Sequence, residues 1–222
     1  MTDRPLLLTL KSIIERSYGM PRVIEDVGPF LIGDEGYRAR YRGRDGSLPA
    51  TEVGARLLVR ESGAPLRVAL YYPDALVSHL ERHSPLRGVG EVNIEAFAVL
   101  VEELDHLLTL ASRAAEGRPI SLLELEHHAN VTKYLVVLHF LGRQTGRLRI
   151  PDPLRRWARH HLFERYAVGG GEGASRYREA ASLAGRYVLF LESLHPEERP
   201  PELRAYQRRS FSETFRLIAN QN

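Results

Sequence analysis

Acidic residues and histidines recur at helical spacing within residues 94–141, in segments that are otherwise apolar. Residues 102–106 read Glu-Glu-Leu-Asp-His, and residues 125–130 read Leu-Glu-His-His-Ala-Asn. Glu102 and His106 are four positions apart, so on a helix both side chains lie on one face and can bind the same ion. This spacing predicts a metal site on the first of two helices.

The second helix carries polar groups on the face that otherwise reads as core. Glu126 and Lys133 share this face with Leu125 and Val136. Because a buried charge needs a partner, we expect the two helices to face each other through a polar cluster. The predicted members of the cluster are Glu102, Asp105, His106, Glu126, Asn130 and Lys133.

The order of these groups resembles that of the zincin metallopeptidases, and among them the gluzincins. Zincins carry a His-Glu-x-x-His motif on a helix that follows a small sheet, and in gluzincins a Glu on the next helix completes the zinc site. Here the motif region is residues 102–106, and Glu126 follows His106 by twenty positions. The resemblance implies Glu102, His106 and Glu126 as metal ligands and Glu103 as the general base. It also implies hydrolysis of a peptide or amide bond.

The chain departs from the zincin motif at two positions. Glu102 stands where the first metal-binding His is expected, and Asp105 is charged where the family usually has an uncharged residue. Two carboxylates and one imidazole form an oxygen-rich site, so the expected cofactor is one divalent ion: zinc, manganese or iron. In a second interpretation Lys133 supplies the positive charge instead, leaving a zincin-like scaffold without an ion and without catalysis. In a third, the cluster is a structural set of salt bridges.

A different metal chemistry is indicated by three Glu-x-x-His sequences. They begin at Glu103, Glu124 and Glu192, and ferritin-like di-iron bundles use the same spacing. Such bundles need four long antiparallel helices, whereas the N-terminal part of this chain contains strand signals. A ferritin-like site is therefore the third functional hypothesis.

Residues 143–178 form the most basic stretch of the chain, with nine arginines and three acidic residues. Within it, Arg155, Arg156 and Arg159 surround Trp157, a mixture that can bind a polyanion. The alternative to a metal enzyme is therefore a non-enzymatic interaction or regulatory protein. Its partner, a protein or a polyanion, would bind this arginine-rich surface.

The first ninety residues predict a mixed α/β part with three or four strands. Residues 36–42 alternate between aromatic or small residues and arginines, which is typical of a half-buried strand. Residues 55–60 and 66–72 flank Ser62-Gly63-Ala64-Pro65 and predict a hairpin. Helices are expected over residues 5–18 and 73–81.

From Asn93 onward the apolar period becomes helical. Asn93 is the expected N-cap of a helix over 93–115, and Ser121 with Glu124 forms a capping box that opens a helix over 121–141. Further helices are expected over residues 152–167, 174–194 and 201–219. We predict an α+β fold in one integrated domain, residues 1–222, with an α/β subdomain over 1–90 and a largely helical one over 91–222.

Composition limits the remaining possibilities. The chain has no cysteine, which excludes disulfides, thiolate catalysis and Cys-based zinc sites, and its net charge is only +3. No apolar run reaches membrane-spanning length, and the N-terminal apolar patch lacks the features of a signal peptide. We expect a cytoplasmic protein that does not enter a membrane.

Overall fold

A computed structural model describes residues 4–41, 54–60, 67–147, 149–164 and 174–219. Within these ranges a small sheet near the N-terminus is followed by a helical C-terminal half, which confirms the predicted α+β class. The strands are β1 (Leu31–Ile32), β2 (Arg56–Arg60) and β3 (Arg67–Tyr71). The helices are α1 (Arg4–Tyr18), α2 (Asp34–Tyr41), α3 (Asp74–Arg82), α4 (Ile94–Ala115), α5 (Leu122–Thr145), α6 (Asp152–Arg159), α7 (Ala174–Ser193), α8 (Arg199–Arg208) and α9 (Phe211–Ala219).

The three strands form one mixed sheet in the order β1-β3-β2. The predicted hairpin is confirmed, because β2 pairs antiparallel with β3 and Leu58 lies opposite Ala69. Its four-residue loop lies outside the described residues. β1 adds to the other edge of β3 in parallel, with Leu31 opposite Leu70.

The strand predicted over residues 36–42 is wrong, because residues 34–41 form helix α2. Asp34 and Glu35 occupy its first turn, where negative charge favours a helix. Tyr37 stacks on Tyr71 of β3 at 4.4 Å between ring centroids, which ties α2 to the sheet. An alternating pattern of only seven residues is compatible with a strand or with a helix, and the contact between Tyr37 and Tyr71 favours the helix.

Helices α4 and α5 have nearly the predicted bounds. The Ser121 hydroxyl accepts a hydrogen bond from the Glu124 N–H at 3.1 Å, as expected for a capping box. Asn93 occupies the N-cap position of α4, but its side chain binds the preceding loop instead of the helix. Helix α5 continues past Gly142 to Gly146, whose φ of 65° provides the left-handed C-cap.

The last predicted helix, over residues 201–219, is wrong because it is two helices, α8 and α9, broken at Ser210. The Glu213 carboxylate accepts a hydrogen bond from the Ser210 N–H at 2.8 Å, and the Ser210 hydroxyl accepts one from the Glu213 N–H at 3.4 Å. This is a second capping box, visible in the sequence as Ser-x-x-Glu. Helix α6 also ends earlier than predicted and continues as a π-helical turn, His160–Glu164.

One hydrophobic core connects the N-terminal and C-terminal parts of the chain. Helix α4 lies within it, and its side chains Phe97, Leu100, Val101 and Leu104 have no exposed surface. The surrounding helices contribute further buried residues, including Leu10, Ile14, Val137, Ala184, Tyr187 and Ile218. Polar side chains on the inner faces of α4 and α5 are therefore held away from water.

Candidate metal centre

Helices α4 and α5 bring three of the predicted ligands together. Glu102, His106 and Glu126 each offer one ligand atom, and these atoms lie within 4.8 Å of one another. His106 Nε2 is 3.7 Å from Glu126 Oε2. Ligands bound tetrahedrally at about 2.1 Å from a zinc ion lie roughly 3.4 Å apart. A small adjustment would therefore place both atoms around one ion.

Two of these buried ligand atoms make no hydrogen bond. Neither His106 Nε2 nor Glu126 Oε2 has a hydrogen bond, and each residue is only 6% exposed. A buried polar group without a partner costs about 1–3 kcal/mol. A cation between them would satisfy both atoms.

Glu103 lies on the other side of the imidazole ring. Its Oε2 is 3.5 Å from His106 Nδ1, whereas Glu126 faces Nε2. A carboxylate beside one ring nitrogen keeps the proton there and leaves the opposite nitrogen free to bind a metal. Glu103 is thus an ion-pair neighbour of His106 on the side away from Glu126, without a hydrogen bond between them, and its expected role as general base stays a prediction.

The charges around His106 determine its protonation. Burial would by itself lower the pKa of His106, but the carboxylates of Glu103, Glu102 and Glu126 outweigh burial and raise the pKa to about 8. Burial also raises the pKa of Glu126, against the opposing effect of His106. An ion that binds here must therefore displace the His106 proton, as metals generally do.

Lys133 occupies the same cluster and competes with an ion. Its ammonium group lies 2.5 Å from Glu102 Oε2, and the residue is 7% exposed. Burial acts to raise the pKa of Glu102, but Lys133 and His106 outweigh burial and lower it. Glu102 is thus a carboxylate that already has one cationic partner.

Two other predicted members of the cluster lie elsewhere. Asp105 has no exposed surface and accepts hydrogen bonds from Thr132 Oγ1 and His128 Nδ1, both at 2.8 Å. The Asn130 amide donates to the backbone carbonyl of Glu126 at 2.8 Å. Of the six predicted residues, four therefore form one cluster, namely Glu102, His106, Glu126 and Lys133. Asp105 belongs to a second cluster.

The second cluster contains residues that sequence reasoning did not connect. His128 Nε2 lies 3.0 Å from Gln207 Oε1 of α8, and the Tyr18 hydroxyl of α1 lies 2.8 Å from Thr132 Oγ1. In the sequence, the adjacent pair His127-His128 was an indication of this cluster. Neighbouring side chains on a helix point in different directions, so the two histidines must have different partners. They do so, and His127 Nδ1 instead lies 2.9 Å from the Tyr206 hydroxyl.

Tyr177 of α7 is a further neighbour of the candidate metal centre. The residue is 47% exposed, and its partial burial raises the pKa of its hydroxyl, which the charges of Glu126 and Glu102 raise further. The Arg176 guanidinium lies 5.2 Å from the centroid of the Tyr177 ring. No motif marks Tyr177 in the sequence, because only the packing of α7 on α5 brings it near these carboxylates.

The glutamates of the other Glu-x-x-His sequences have partners away from this centre. Glu124 accepts a hydrogen bond from Arg113 at 2.8 Å, and Glu192 accepts one from Arg159 at 2.7 Å. Among the residues that the structure describes, Glu102, His106 and Glu126 form the single group with metal-binding spacing. No contact here favours a ferritin-like site over the hypothesis of one metal ion.

The predicted arginine-rich surface is partly neutralised within the chain. Arg159 binds Glu192 of α7, and Arg155 contacts both Glu192 and Asp152. Arg156 is exposed. Of the three arginines proposed for a partner surface, two already have acidic partners, while residues 165–173 of this stretch lie outside the described part.

Comparison with known protein families, with curated proteins and with solved structures finds no significant match. None of the helices within the described ranges has the length and apolar character needed to cross a membrane.

Proposed function

We propose that the protein binds one divalent metal ion at Glu102, His106 and Glu126 and acts as a metal-dependent hydrolase with a zincin-like helix pair. One observation carries the proposal: His106 Nε2 and Glu126 Oε2 face each other at 3.7 Å, buried and without hydrogen bonds. The oxygen-rich ligand set suits zinc, manganese or iron(II).

A set of three protein ligands is compatible with catalysis. Three protein ligands are typical of catalytic sites, which keep one position open for water or substrate. The Glu102 side chain is 21% exposed, so the centre is reached by solvent from its side. When bound, the ion would lower the pKa of water and polarise the scissile carbonyl. Glu103 would hold His106 in the ligating orientation.

Metal binding is the direct test. We expect the purified protein to bind one equivalent of zinc, manganese or iron(II), measured by calorimetry and by elemental analysis after dialysis. His106→Gln and Glu126→Gln should each weaken binding by about a hundredfold or more, because each removes a direct ligand. The matched controls His160→Gln and Glu81→Gln change exposed side chains and should bind as the unmodified protein does. Binding that is absent, or that survives both ligand substitutions, contradicts the proposal.

Lys133→Met separates a metal centre from a structural salt bridge. In a metal centre the ammonium group repels the ion and occupies Glu102, so its removal should tighten metal binding on the order of tenfold or more. In a purely structural cluster the same change removes the nearest cation from Glu102 and destabilises the protein by at most about 3–5 kcal/mol, with no gain in metal binding. Calorimetry and urea unfolding, each with and without metal, distinguish these results.

Hydrolysis is tested after binding. The metal-loaded protein, incubated with a mixed peptide library and analysed by mass spectrometry, should cleave amide bonds in a way that His106→Gln abolishes. Glu103→Gln keeps a hydrogen-bonding group beside His106 Nδ1 and removes a carboxylate base, so it should retain metal but lose activity if Glu103 is the base. A protein that binds metal yet cleaves nothing overturns the hydrolytic part alone.

A further inference from the structure

Strand β2 lies at the edge of the sheet and has one side of its backbone unpaired. The strand order β1-β3-β2 gives it a single neighbour, and among the described residues no backbone hydrogen bond joins β2 to any segment except β3. The N–H and C=O groups on the outer side of an edge strand can pair with a further strand. This edge shares no residue with the candidate metal centre, so a role for it is independent of the proposed function.

Arginines line one face of the sheet at this edge. Alternate side chains of a strand share a face, so Arg56, Leu58 and Arg60 lie on the same side of β2. The register places Arg67 of β3 directly opposite Arg60. Side chains paired in this way lie on the same face, with their Cβ atoms about 5 Å apart. All three arginines are exposed, so three cationic side chains stand together on one face of β2 and β3.

These arginines have no acidic partner within the described ranges. Neither Arg60 nor Arg67 has a side-chain hydrogen bond or an ion pair there. Arg56 Nε donates to the Gly54 carbonyl at 3.4 Å, which leaves its charge uncompensated. Like charges directly opposite each other on a sheet are destabilising. A carboxylate supplied from outside would relieve the repulsion between Arg60 and Arg67.

The sequence of β2 disfavours a second copy of the chain as the partner of this edge. If two β2 strands paired antiparallel about Leu58, Arg56 of each copy would lie opposite Arg60 of the other, and the like charges would repel. Charged residues on an edge strand commonly prevent such self-association. Charge complementarity instead favours a strand that carries acidic side chains four residues apart. Val59, 46% exposed on the opposite face of β2, offers apolar contact to that strand.

We propose that the outer edge of β2 binds an extended acidic segment of a partner protein, which adds to the described sheet as a fourth strand. Its backbone would pair with β2, and its two carboxylates would lie beside Arg56 and Arg60, the second also within reach of Arg67. In strand addition of this kind the main-chain hydrogen bonds supply affinity, and the side chains supply specificity. The arginines would therefore select acidic partners over basic ones.

The test uses the peptide Thr-Glu-Val-Thr-Val-Glu-Thr and a matched peptide with lysine in place of both glutamates. Each is titrated into the full chain at pH 7, with the NMR chemical shifts of the β2 amides as readout. We expect the acidic peptide to bind on the order of tenfold tighter, because it makes two exposed ion pairs where the lysine peptide meets two repulsions. Equal affinities, or no binding of either peptide, overturn the proposal.

Backbone methylation tests the pairing of strands. Methylating the backbone nitrogens of the two valines removes the donors from one edge of the acidic peptide. Methylating those of the glutamates and the central threonine removes them from the other edge. Because only one edge can face β2, one methylated peptide should lose binding while the other retains it. Equal binding of the two methylated peptides contradicts strand addition.

Two variants locate the site. Arg56→Glu with Arg60→Glu should make the lysine peptide bind more tightly than the acidic one, and it places a carboxylate opposite Arg67, so the fold tolerates it. The control Arg156→Glu with Arg208→Glu has the same net charge, changes exposed positions and should keep the preference for the acidic peptide. A preference for the acidic peptide that survives in the β2 variant contradicts the proposal. So does a single-stranded oligonucleotide that binds β2 more tightly than the acidic peptide and displaces it. Thermal unfolding confirms that each variant is folded.

Discussion

Asp105→Ala is expected to lower the free energy of unfolding by about 3–5 kcal/mol, because it leaves two buried donors without their acceptor at about 1–3 kcal/mol each. Asp105 has no exposed surface and accepts hydrogen bonds from His128 and Thr132. Its removal leaves both donors without their acceptor in the core, next to the Tyr18 hydroxyl of α1. Since α1, α4, α5 and α8 all meet at this cluster, the loss affects the packing of four helices.

Urea unfolding followed by circular dichroism measures this effect. Asp152→Asn is the matched control, because the Asp152 side chain is 66% exposed and its ion pair with Arg155 lies on the surface. The control should leave the free energy of unfolding nearly unchanged, because an exposed ion pair contributes little to stability. Thr132→Val removes one donor and keeps the shape, so it should have an intermediate effect of about 1–2 kcal/mol. A change below 1 kcal/mol for Asp105→Ala would show that the cluster does not stabilise the fold.

Mild acid is expected to destabilise the protein through His127. Burial, together with the nearby His128, lowers the pKa of His127 to about 3. The unfolded chain binds a proton at this residue near pH 6.5, whereas the folded protein does so only near pH 3. The unfolded state therefore binds more protons between these values, and stability falls as the pH falls through this window. From pH 7 to pH 5 this single group should remove about 2 kcal/mol.

Comparison of variants isolates His127 from other titrating groups. The His127 ring lies near His128, the Tyr206 hydroxyl contacts its Nδ1, and the centroid of the Tyr187 ring is 6.2 Å away. His127→Gln removes the titrating ring and should therefore lose about 2 kcal/mol less between pH 7 and pH 5 than the unmodified protein. His160→Gln, at an exposed position, should keep the full loss. Equal losses in the two variants would refute the prediction.

Local signals predicted much of the helical half. Ser121 and Glu124 marked the start of α5 because a capping box uses only neighbouring residues. The same signal at Ser210 and Glu213 was present, but the apolar pattern ran across it and concealed the break between α8 and α9. In α2, the alternation of residues 36–42 was too short to distinguish a strand from a helix, and the stacking of Tyr37 on Tyr71 lies beyond any local pattern.

The sequence around Gly142 suggests a helix end, but the role of this glycine depends on a tertiary contact. A glycine near a predicted helix end usually marks a C-cap, yet α5 passes through Gly142 and is capped by Gly146. A Cβ at Gly142 would lie 3.2 Å from Ile150 Cδ1, so the missing side chain makes room for the chain that turns back after α5. Sequence alone could not separate these two uses of glycine.

The sequence by itself determined that Glu102 and His106 share one helix face, because four residues span about one turn of any α-helix. It also determined that Glu126 and Lys133 share a face of α5, because seven residues span about two turns. Only the tertiary structure decided that His106 meets Glu126 while Asp105 meets His128. That choice depends on the rotation and offset of α4 against α5, which are set by packing on both helices and are absent from either helix alone.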